Sequence, residues 1–455
     1  MKLFSAALAV AAAAPASLAA GAPPICAACV QADMQRLAGD ELRGRKCGTA
    51  DENAAARFVS AELKRLGVRG AFARGDYLQP VDLLTPAFAQ TPTLEISAGG
   101  PPIRLEQGRD MLVGAAPPAL DAPAVRVTDA QAAAPNVAGE LVIYDSPAFD
   151  PAGVASLFRS GALAVVSPPN ARILAGWAQA VGRPPGPTVV LGADPPPMPS
   201  GQVIIIARPE AMAALRAVTA GEARLSAPRA PDQARRTYNV VGVIHGAARD
   251  ADRHAILLSA HYDHLGVREG VIFHGANDDA SGTAAVLEFA RILGSGPRPQ
   301  RTVYFALFGC EEEGGLGAQY FRAHPPGALS DLVANLEFEM IGVNDPKQPG
   351  FLMLTGWERS DLGPALKAHG ALIAPDPYPQ ENFFRRSDNY QLALKGVVAQ
   401  TVSAWPLTPT YHSATDDLDH VDLAFMDQVI GSLVGPVEWL LNSDFQPSWV
   451  EGRRP

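Results

Sequence analysis

The sequence has few histidines and cysteines, and basic residues are in the minority. Nine histidines and four cysteines are distributed over 455 residues, and 47 Asp and Glu outnumber 37 Lys and Arg. The net charge of -10, without a basic patch, excludes nucleic acid as an expected partner. The acidic residues are spread along the chain, so they indicate solubility and say little about other partners.

Long apolar runs are absent after the first residues of the chain. The stretch from Met1 to Ala20 has a charged start at Lys2, an Ala-rich apolar core and small residues before a cleavage point near Gly21. Pro15 interrupts the core, which is shorter than the ~20 apolar residues of a membrane-spanning helix. We expect a signal peptide at residues 1–20, a secreted or periplasmic protein, and no membrane association after cleavage.

The four cysteines can form disulfides if the chain is exported. Cys26 and Cys29 form a C-x-x-C pair, but no second pair or neighbouring histidine completes a zinc site. We expect a structural disulfide that joins Cys47 to Cys26 or to Cys29. Cys310 is then expected to be a free, buried thiol.

Residues 91–232 contain no histidine and about half of the 41 prolines. Short strand patterns recur there between Pro and Gly turns, which predicts a small β-rich inserted domain. The expected organisation is a signal peptide at 1–20, a first part of the main domain at 21–90, the insert at 91–232 and the rest of the main domain at 233–455.

The main domain alternates strand and helix patterns. Asp33 to Gly67 and Val421 to Leu441 have helical spacing, and apolar β-type runs lie at 256–258, 303–308, 333–340 and 396–403. This alternation predicts an α/β fold: a three-layer sandwich with a largely parallel mixed central sheet.

Polar residues follow the first two of these strands. His261 and Asp263 come after the first strand and point the same way on an extended chain, so one can bind a metal while the other orients it. Glu311 and Glu312 follow the second strand. Such acids are often only a solvated surface, but this position matches the ligand-binding edge of open α/β sheets.

Three further segments supply groups of the same kind. Asp278 precedes a helical pattern and is either a helix cap or a ligand. Glu339 ends the third strand, and a loop after the fourth strand carries Tyr411, His412 and Asp416. Two histidines with three carboxylates suit two divalent metals that share one carboxylate.

The chain resembles the M28 zinc exopeptidases of the aminopeptidase Y type. The matching motifs run from about Tyr238 to Asp416 in that family's order: HYDHLG, GANDDASG, FGCEEEGGLG, NLEFEMIG, RRSDNYQL and YHSATD. Within the insert, NVAGELV and RSGALAV resemble a protease-associated domain. The segment before and within the first helix resembles the family's amino-terminal segment, which is structural.

The resemblance implies two Zn²⁺ ions per chain. It assigns one ion to His261 and Glu339, the other to Glu312 and His412, and the bridge between them to Asp278. The family often has Asp at the position of Glu339, whose longer carboxylate can still bind a metal.

The resemblance also implies roles around the metals. Glu311 would be the general base for a zinc-bound hydroxide, and Asp263 would orient His261. Tyr411 would stabilise the oxyanion or simply pack beside His412. The substrate pocket would be shaped by Arg386, Ser387 and Asp388, unless these residues only begin a surface helix. We interpret His264, His274 and His420 as lying outside the metal site.

The expected function is that of an exported dinuclear zinc exopeptidase with peptide substrates, most simply an aminopeptidase. Dipeptidase and carboxypeptidase activity and the oligomeric state stay open. A single-zinc glutaminyl cyclase and a non-catalytic binding relative are the alternatives. Cyclases lack a ligand of the His261 type, and non-catalytic relatives typically lose ligands or the base, whereas this sequence has the full set.

Overall fold

The computed structural model describes residues 25–114, 116–130, 137–177, 190–192 and 202–455. The predicted signal peptide at 1–20 and Asn136, which begins one insert motif, lie outside these ranges. Among the described residues, no helix is long and apolar enough to cross a membrane.

The described helices and strands alternate through most of the main domain. The α-helices are α1 Ala27–Leu37, α2 Ala50–Arg65, α3 Pro151–Arg159, α4 Ala171–Ala175, α5 Pro209–Leu215, α6 Ser281–Ser295, α7 Leu316–Ala323, α8 Leu362–Ala368, α9 Asn389–Ala393 and α10 Leu423–Asn442. The strands are β1 Arg69–Gly70, β2 Leu78–Phe88, β3 Thr93–Ser97, β4 Ile103–Glu106, β5 Met111–Val113, β6 Ala119–Val127, β7 Leu141–Tyr144, β8 Ala164–Ser167, β9 Val190–Leu191, β10 Val203–Ala207, β11 Ala220–Ser226, β12 Arg229–Ile244, β13 Ala255–His261, β14 Gly266–Arg268, β15 Val271–Phe273, β16 Val303–Phe308, β17 Leu332–Phe338, β18 Leu352–Leu354, β19 Ile373–Pro375 and β20 Val398–Ser403.

The main sheet is mixed, with a parallel centre. Its strand order is β19-β18-β20-β17-β13-β16-β12-β2-β9, and β1 pairs with β12. The strands β20, β17, β13 and β16 are mutually parallel, and β12 and β2 extend the sheet in antiparallel fashion. This arrangement confirms the predicted α/β class with its mixed central sheet.

Strand β13 is buried on both of its faces. Ile256 and Leu258 pack in a core that includes residues of α1, α2, α6 and α10. Ala255 and Leu257 point the other way, into a core with Phe321 of α7. Burial on both faces explains why the strand sequence is continuously apolar rather than alternating, and it gives the three layers.

The amino-terminal segment forms two helices where the sequence predicted one continuous helix. The predicted range from Asp33 to Gly67 is broken between α1 and α2 by turns in which Gly44 and Gly48 have φ of 70° and 69°. A Cβ on Gly44 would lie 2.1 Å from the carbonyl oxygen of Phe273, so the chain must pass close to the loop before Ala276. Thr49 caps α2 by accepting from the backbone N–H of Glu52.

A second sheet lies within the predicted insert. Its strand order is β4-β3-β11-β6-β7-β8-β10-β5, and β6, β7, β8 and β10 are mutually parallel. It has its own apolar core. Strand β9, which also falls within 91–232, pairs with β2 of the main sheet instead. The region therefore has a separate sheet, but not all of its residues belong to it.

The expected cysteine pairing is wrong. Cys26 is bonded to Cys29, and Cys47 is bonded to Cys310, so none of the four is a free thiol. Cys26 and Cys29 lie at the start of α1, where one helical turn brings their Cα atoms within 5.1 Å. Cys47 follows a turn that the fold places against the start of the Glu311 loop, with a Cα–Cα distance of 4.8 Å to Cys310.

Candidate metal centre

The carboxyl ends of the parallel strands bring the predicted ligands to one edge of the main sheet. Strand β13 ends at His261, Glu339 follows β17 directly, and Glu312 follows β16 after a short turn. Asp278 comes from the segment before α6, and His412 from the loop after β20. Ligand sites of open α/β sheets form at this edge because neighbouring parallel strands end there together.

One group of possible metal ligands consists of His261, Asp278 and Glu339. A ligand atom from each of these residues lies within 4.8 Å of the other two. His261 Nε2 is 3.2 Å from Asp278 Oδ1, and both side chains are almost completely buried. This is the first ligand set that the sequence predicted, with Asp278 included.

A second group contains Asp278, Glu312 and two imidazoles. His412 Nε2 is 3.2 Å from Asp278 Oδ2 and 3.1 Å from Glu312 Oε2. His264, which we interpreted as lying outside the site, belongs here: its Nδ1 is 2.8 Å from Glu312 Oε1. The sequence offered only one signal for His264, its place three residues after His261, where the chain turns beyond the strand end.

These donor atoms fit zinc. Both ring nitrogens of His261 and His264, together with Glu312 Oε1, are buried and have no hydrogen-bond partner among the described residues. Ligand atoms at ~2.0–2.1 Å from a tetrahedral zinc lie about 3.3 Å from one another, close to the separations found here. Imidazole nitrogen and carboxylate oxygen are also ordinary zinc ligands.

Asp278 lies between the two groups and presents one oxygen to each. Oδ1 faces His261, and Oδ2 faces His412. Its backbone is held from behind by Asp416, whose carboxylate accepts from the N–H groups of Asn277 at 2.7 Å and Asp278 at 3.1 Å. The peptide bond between Asp278 and Asp279 is cis. The two oxygens of Asp278 therefore contact different histidines, one in each group.

The neighbouring carboxylate, that of Asp279, accepts hydrogen bonds from the backbone, including the N–H of His261 at 3.4 Å. It also accepts from the backbone N–H groups of Gly282 at 2.9 Å and Met340 at 3.0 Å. It therefore joins the first turn of α6 to the loop after β17.

Asp263 makes different contacts from those expected. Its Oδ1 is 3.6 Å from His261 Nδ1, which is longer than a hydrogen bond. Its oxygens accept instead from the backbone N–H groups of Glu311 at 2.8 Å and Glu312 at 3.3 Å. Asp263 therefore fixes the backbone of the acidic loop while lying beside His261.

The charges of the second group are strongly coupled. Burial acts to raise the pKa of Asp278, but His261 and His412 hold it well below its usual value. Burial and Asp278 also act to raise the pKa of Glu312, yet His264 and His412 lower it to about 2. Burial lowers the pKa of His412, but the two carboxylates outweigh it and raise the pKa to about 10. These carboxylates are therefore held ionised.

Glu311 differs from these carboxylates, because burial and the acidic groups around it raise its pKa. Burial raises its pKa well above the usual value, and Asp388, Glu339 and Glu312 add to this although His261 opposes it. Burial likewise raises the pKa of Glu339 to about 7. A carboxylate with a raised pKa accepts a proton more readily near neutral pH, as a general base requires.

A cleft next to the metal groups has a volume of about 370 Å³, which includes space open to solvent. Among the residues that line it are Glu339, Tyr411, Arg386, Ser387 and Phe383. The ring of Tyr411 stacks on that of His412, with centroids 3.9 Å apart. Burial raises the pKa of Tyr411, so its hydroxyl stays protonated at neutral pH.

Asp388, predicted with Arg386 and Ser387 to shape the pocket, does not line this cleft. It is fully buried, and neither carboxylate oxygen has a hydrogen-bond partner among the described residues. Burial raises its pKa well above the usual value, with a further contribution from Glu337. Asp388 is therefore a buried neighbour of the site rather than part of the cleft surface.

Arg45, which the sequence did not single out, joins the loops that carry the ligands. It is fully buried and donates to the backbone carbonyls of Tyr262 at 2.6 Å, His274 at 2.7 Å, Gly275 at 2.9 Å and Leu37. Burial lowers its pKa to about 10, so the guanidinium stays charged at neutral pH. The amino-terminal segment thus supports the site from behind.

Comparison with known proteins agrees with this geometry. Residues 239–434 match the model of peptidase family M28. A probable lipoprotein aminopeptidase, LpqL, of Mycobacterium tuberculosis is 28% identical over 224 residues, which are 41% of this chain and 42% of that protein. The aminopeptidase NAALADL1 of Rattus norvegicus is 27% identical over 228 residues, 42% of this chain and 29% of that protein. The chain therefore spans less than half the length of these relatives.

Two solved structures share the fold over nearly their whole length. An aminopeptidase from Aneurinibacillus sp. strain AM-1 has a TM-score of 0.61 and 20% identity, with 93% of this chain and 95% of that chain covered. The zinc aminopeptidase BSAP from Bacillus subtilis has a TM-score of 0.55 and 18% identity, with 92% and 96% covered. The resemblance noted in the sequence is confirmed over residues 239–434, which match the model of peptidase family M28.

Proposed function

We propose that this protein is an exported dinuclear zinc exopeptidase, most simply an aminopeptidase. The observation that carries the proposal is Asp278, which presents one oxygen to His261 and the other to His412 at the ligand-binding edge of the sheet. A carboxylate in this position supports two ions close together, as dinuclear hydrolases use for attack on a carbonyl.

The metals would be held by residues already in place. His261 and Glu339 would bind one ion, Glu312 and His412 the other, and Asp278 both. Zinc ions bound there would polarise the peptide carbonyl and lower the pKa of a coordinated water from about 15.7 toward ~7. The relatives named as aminopeptidases support peptide hydrolysis for this domain.

Glu311 would move the proton. Its backbone is fixed by Asp263 at 2.8 Å, and burial raises the pKa of its carboxyl. It would take a proton from the attacking water and deliver it to the leaving amine, as general acid–base catalysis requires. Tyr411 keeps its hydroxyl proton and lines the cleft, so it could donate a hydrogen bond to the carbonyl oxygen in the transition state.

The cleft would receive the substrate residue next to the scissile bond. Phe383 gives it an apolar wall, and Arg386 and Ser387 add polar groups beside Glu339. The acidic groups at the metal edge favour a free amino terminus, because a substrate ammonium can pair with carboxylate oxygens that do not bind metal. The second sheet, as a protease-associated insert, would cover or extend the substrate cleft.

The proposal is tested with matched substrates. An aminoacyl anilide, its N-acetylated form and peptides blocked at the carboxyl end are incubated with zinc-loaded protein. We expect cleavage of every substrate with a free amino group and none of the acetylated one. Equal rates on free and acetylated peptides would contradict an aminopeptidase. Cyclisation of an N-terminal Gln by protein with one bound metal would favour the cyclase.

A further inference from the structure

We propose that His264 is a third imidazole ligand of the metal centre, on the ion held by Asp278, Glu312 and His412. The inference rests on the proposed dinuclear function and adds a ligand to it. The second ion would then have four protein ligands, while the ion at His261, Asp278 and Glu339 would have three. The two metal positions would differ in kind.

The position of the His264 ring supports this assignment. His264, Asp278 and Glu312 each supply a ligand atom, and these atoms all lie within 4.8 Å of one another. Nδ1 is 2.8 Å from Glu312 Oε1 and 3.9 Å from Asp278 Oδ2, the oxygen that also faces His412. The ring therefore approaches the same side of Asp278 as His412.

The contact with Glu312 is close, but it is not directed as a hydrogen bond. His264 Nδ1 and Glu312 Oε1 are both buried without a hydrogen-bond partner in the described part of the chain. The same holds for His261 Nε2, although it is 3.2 Å from an oxygen of Asp278. Donor atoms that surround one ion point at the ion rather than at each other, so His264 has the geometry of the predicted ligand His261.

The fold holds the ring in this place from two sides. The backbone N–H of His264 donates to the carbonyl of Arg45 at 3.2 Å, and the backbone of His264 pairs with that of Lys46 in an isolated β-bridge. On the other side the ring packs on Gly275, where a Cβ would lie 2.4 Å from His264 Cγ. Since only glycine allows this approach, the ring is built into the site and not free to turn away.

The difference in the number of protein ligands between the two metal positions has a chemical consequence. Zinc sites closed by four protein ligands are typical of tightly held, structural ions, whereas a position with three ligands keeps room for water or substrate. The ion near His264 would anchor Asp278, and the ion near His261 would carry the open position. Chelators should therefore remove the two zincs in two separate steps, with the second step at the His264 site.

His264→Asn is the discriminating substitution. The Asn amide places an N–H near the position of Nδ1 and keeps a polar group beside Glu312, but it lacks the imidazole that binds zinc. Loss of a hydrogen bond that orients a metal ligand typically costs ~10–100-fold in metal affinity, and loss of a ligand should cost at least as much. We expect chelator competition to show a decrease of more than ~100-fold in affinity for the tighter zinc.

His420→Asn is the matched control. Its imidazole is half exposed, its Nδ1 lies 2.7 Å from Asp417 Oδ1, and it belongs to neither group of possible metal ligands. This variant should bind both zincs with the affinity of the unsubstituted protein and give the same two removal steps.

X-ray absorption at the zinc edge gives the decisive readout, because it does not depend on turnover. The fully loaded protein should show three imidazoles shared by two zincs, and His264→Asn should show two. Two imidazoles in the unsubstituted protein, or unchanged affinity in His264→Asn, would overturn the role of His264 alone. Failure of the unsubstituted protein to bind two zincs, or to cleave free-amine substrates, would instead overturn the proposed function.

Discussion

Substitution of Arg45 by Met tests whether the amino-terminal segment supports the metal centre. The substitution removes hydrogen bonds to four backbone carbonyls, from Tyr262, His274, Gly275 and Leu37, and leaves these acceptors buried. It also removes the positive charge that offsets nearby acids. Methionine is of similar length and apolar, so the change isolates the lost polar contacts from lost volume.

The expected destabilisation is large. Removing one partner from a buried charged network typically costs ~3–5 kcal/mol, because the remaining groups stay buried without partners. At ~2–4 °C per kcal/mol for large domains, the melting temperature should fall by roughly 6–20 °C. The melting temperature of Arg45→Lys should fall less, because an ammonium has three donors for the four carbonyls.

Differential scanning calorimetry with and without zinc measures this effect. Arg43→Met is the control: Arg43 is exposed, and its ion pair with Asp51 at 3.7 Å is of a kind worth ~0–1 kcal/mol. Arg45→Met should melt well below this control and require more zinc for saturation. A melting temperature within ~2 °C of the control would refute the supporting role of Arg45.

Two further predictions concern cross-linking and pH. A disulfide that closes a longer loop removes more entropy from the unfolded chain. The double variant Cys47→Ser/Cys310→Ser should therefore lower the melting temperature more than Cys26→Ser/Cys29→Ser. Equal or reversed losses in calorimetry would contradict this. Burial is the main cause that raises the pKa of Asp33 from 3.8 to about 7. Between these pH values the folded state binds a proton that the unfolded state has lost, so stability falls as the pH rises. Asp33→Asn should therefore stabilise the protein more at pH ~8 than at pH ~5, with a difference in the free energy of unfolding of at most ~3 kcal/mol; an equal gain at both pH values would contradict this.

The strands that carry the site were predictable because each is buried on both faces. A strand such as β13 must then be apolar at successive positions, and this leaves a run that the sequence shows directly. The groups that follow it, His261 and Asp263, are conspicuous because polar residues come abruptly after such a run. The same logic applies to Glu312 after β16 and Glu339 after β17.

The supporting contacts were not predictable, because they join residues that are far apart in the chain. Arg45 donates to the carbonyl of Tyr262 across 217 positions, and Cys47 bonds to Cys310 across 263. No local period or spacing encodes such pairs, so the disulfide prediction favoured cysteines that are close in sequence. His264 was missed for a related reason: its ring reaches Glu312 only after the chain turns beyond β13.

The central claim is a hydrolytic metal centre in which Glu311 moves the proton and Glu312 binds metal. The most direct measurement compares turnover of an aminoacyl anilide with zinc content in Glu311→Gln and Glu312→Gln. Glu311→Gln should keep both zincs and lose ~10²–10⁴-fold in turnover, the usual contribution of general acid–base catalysis. Glu312→Gln should lose zinc first, and excess zinc should restore part of its activity. Loss of zinc from Glu311→Gln with full retention in Glu312→Gln would reverse the two roles, and unchanged turnover in both would contradict the site itself.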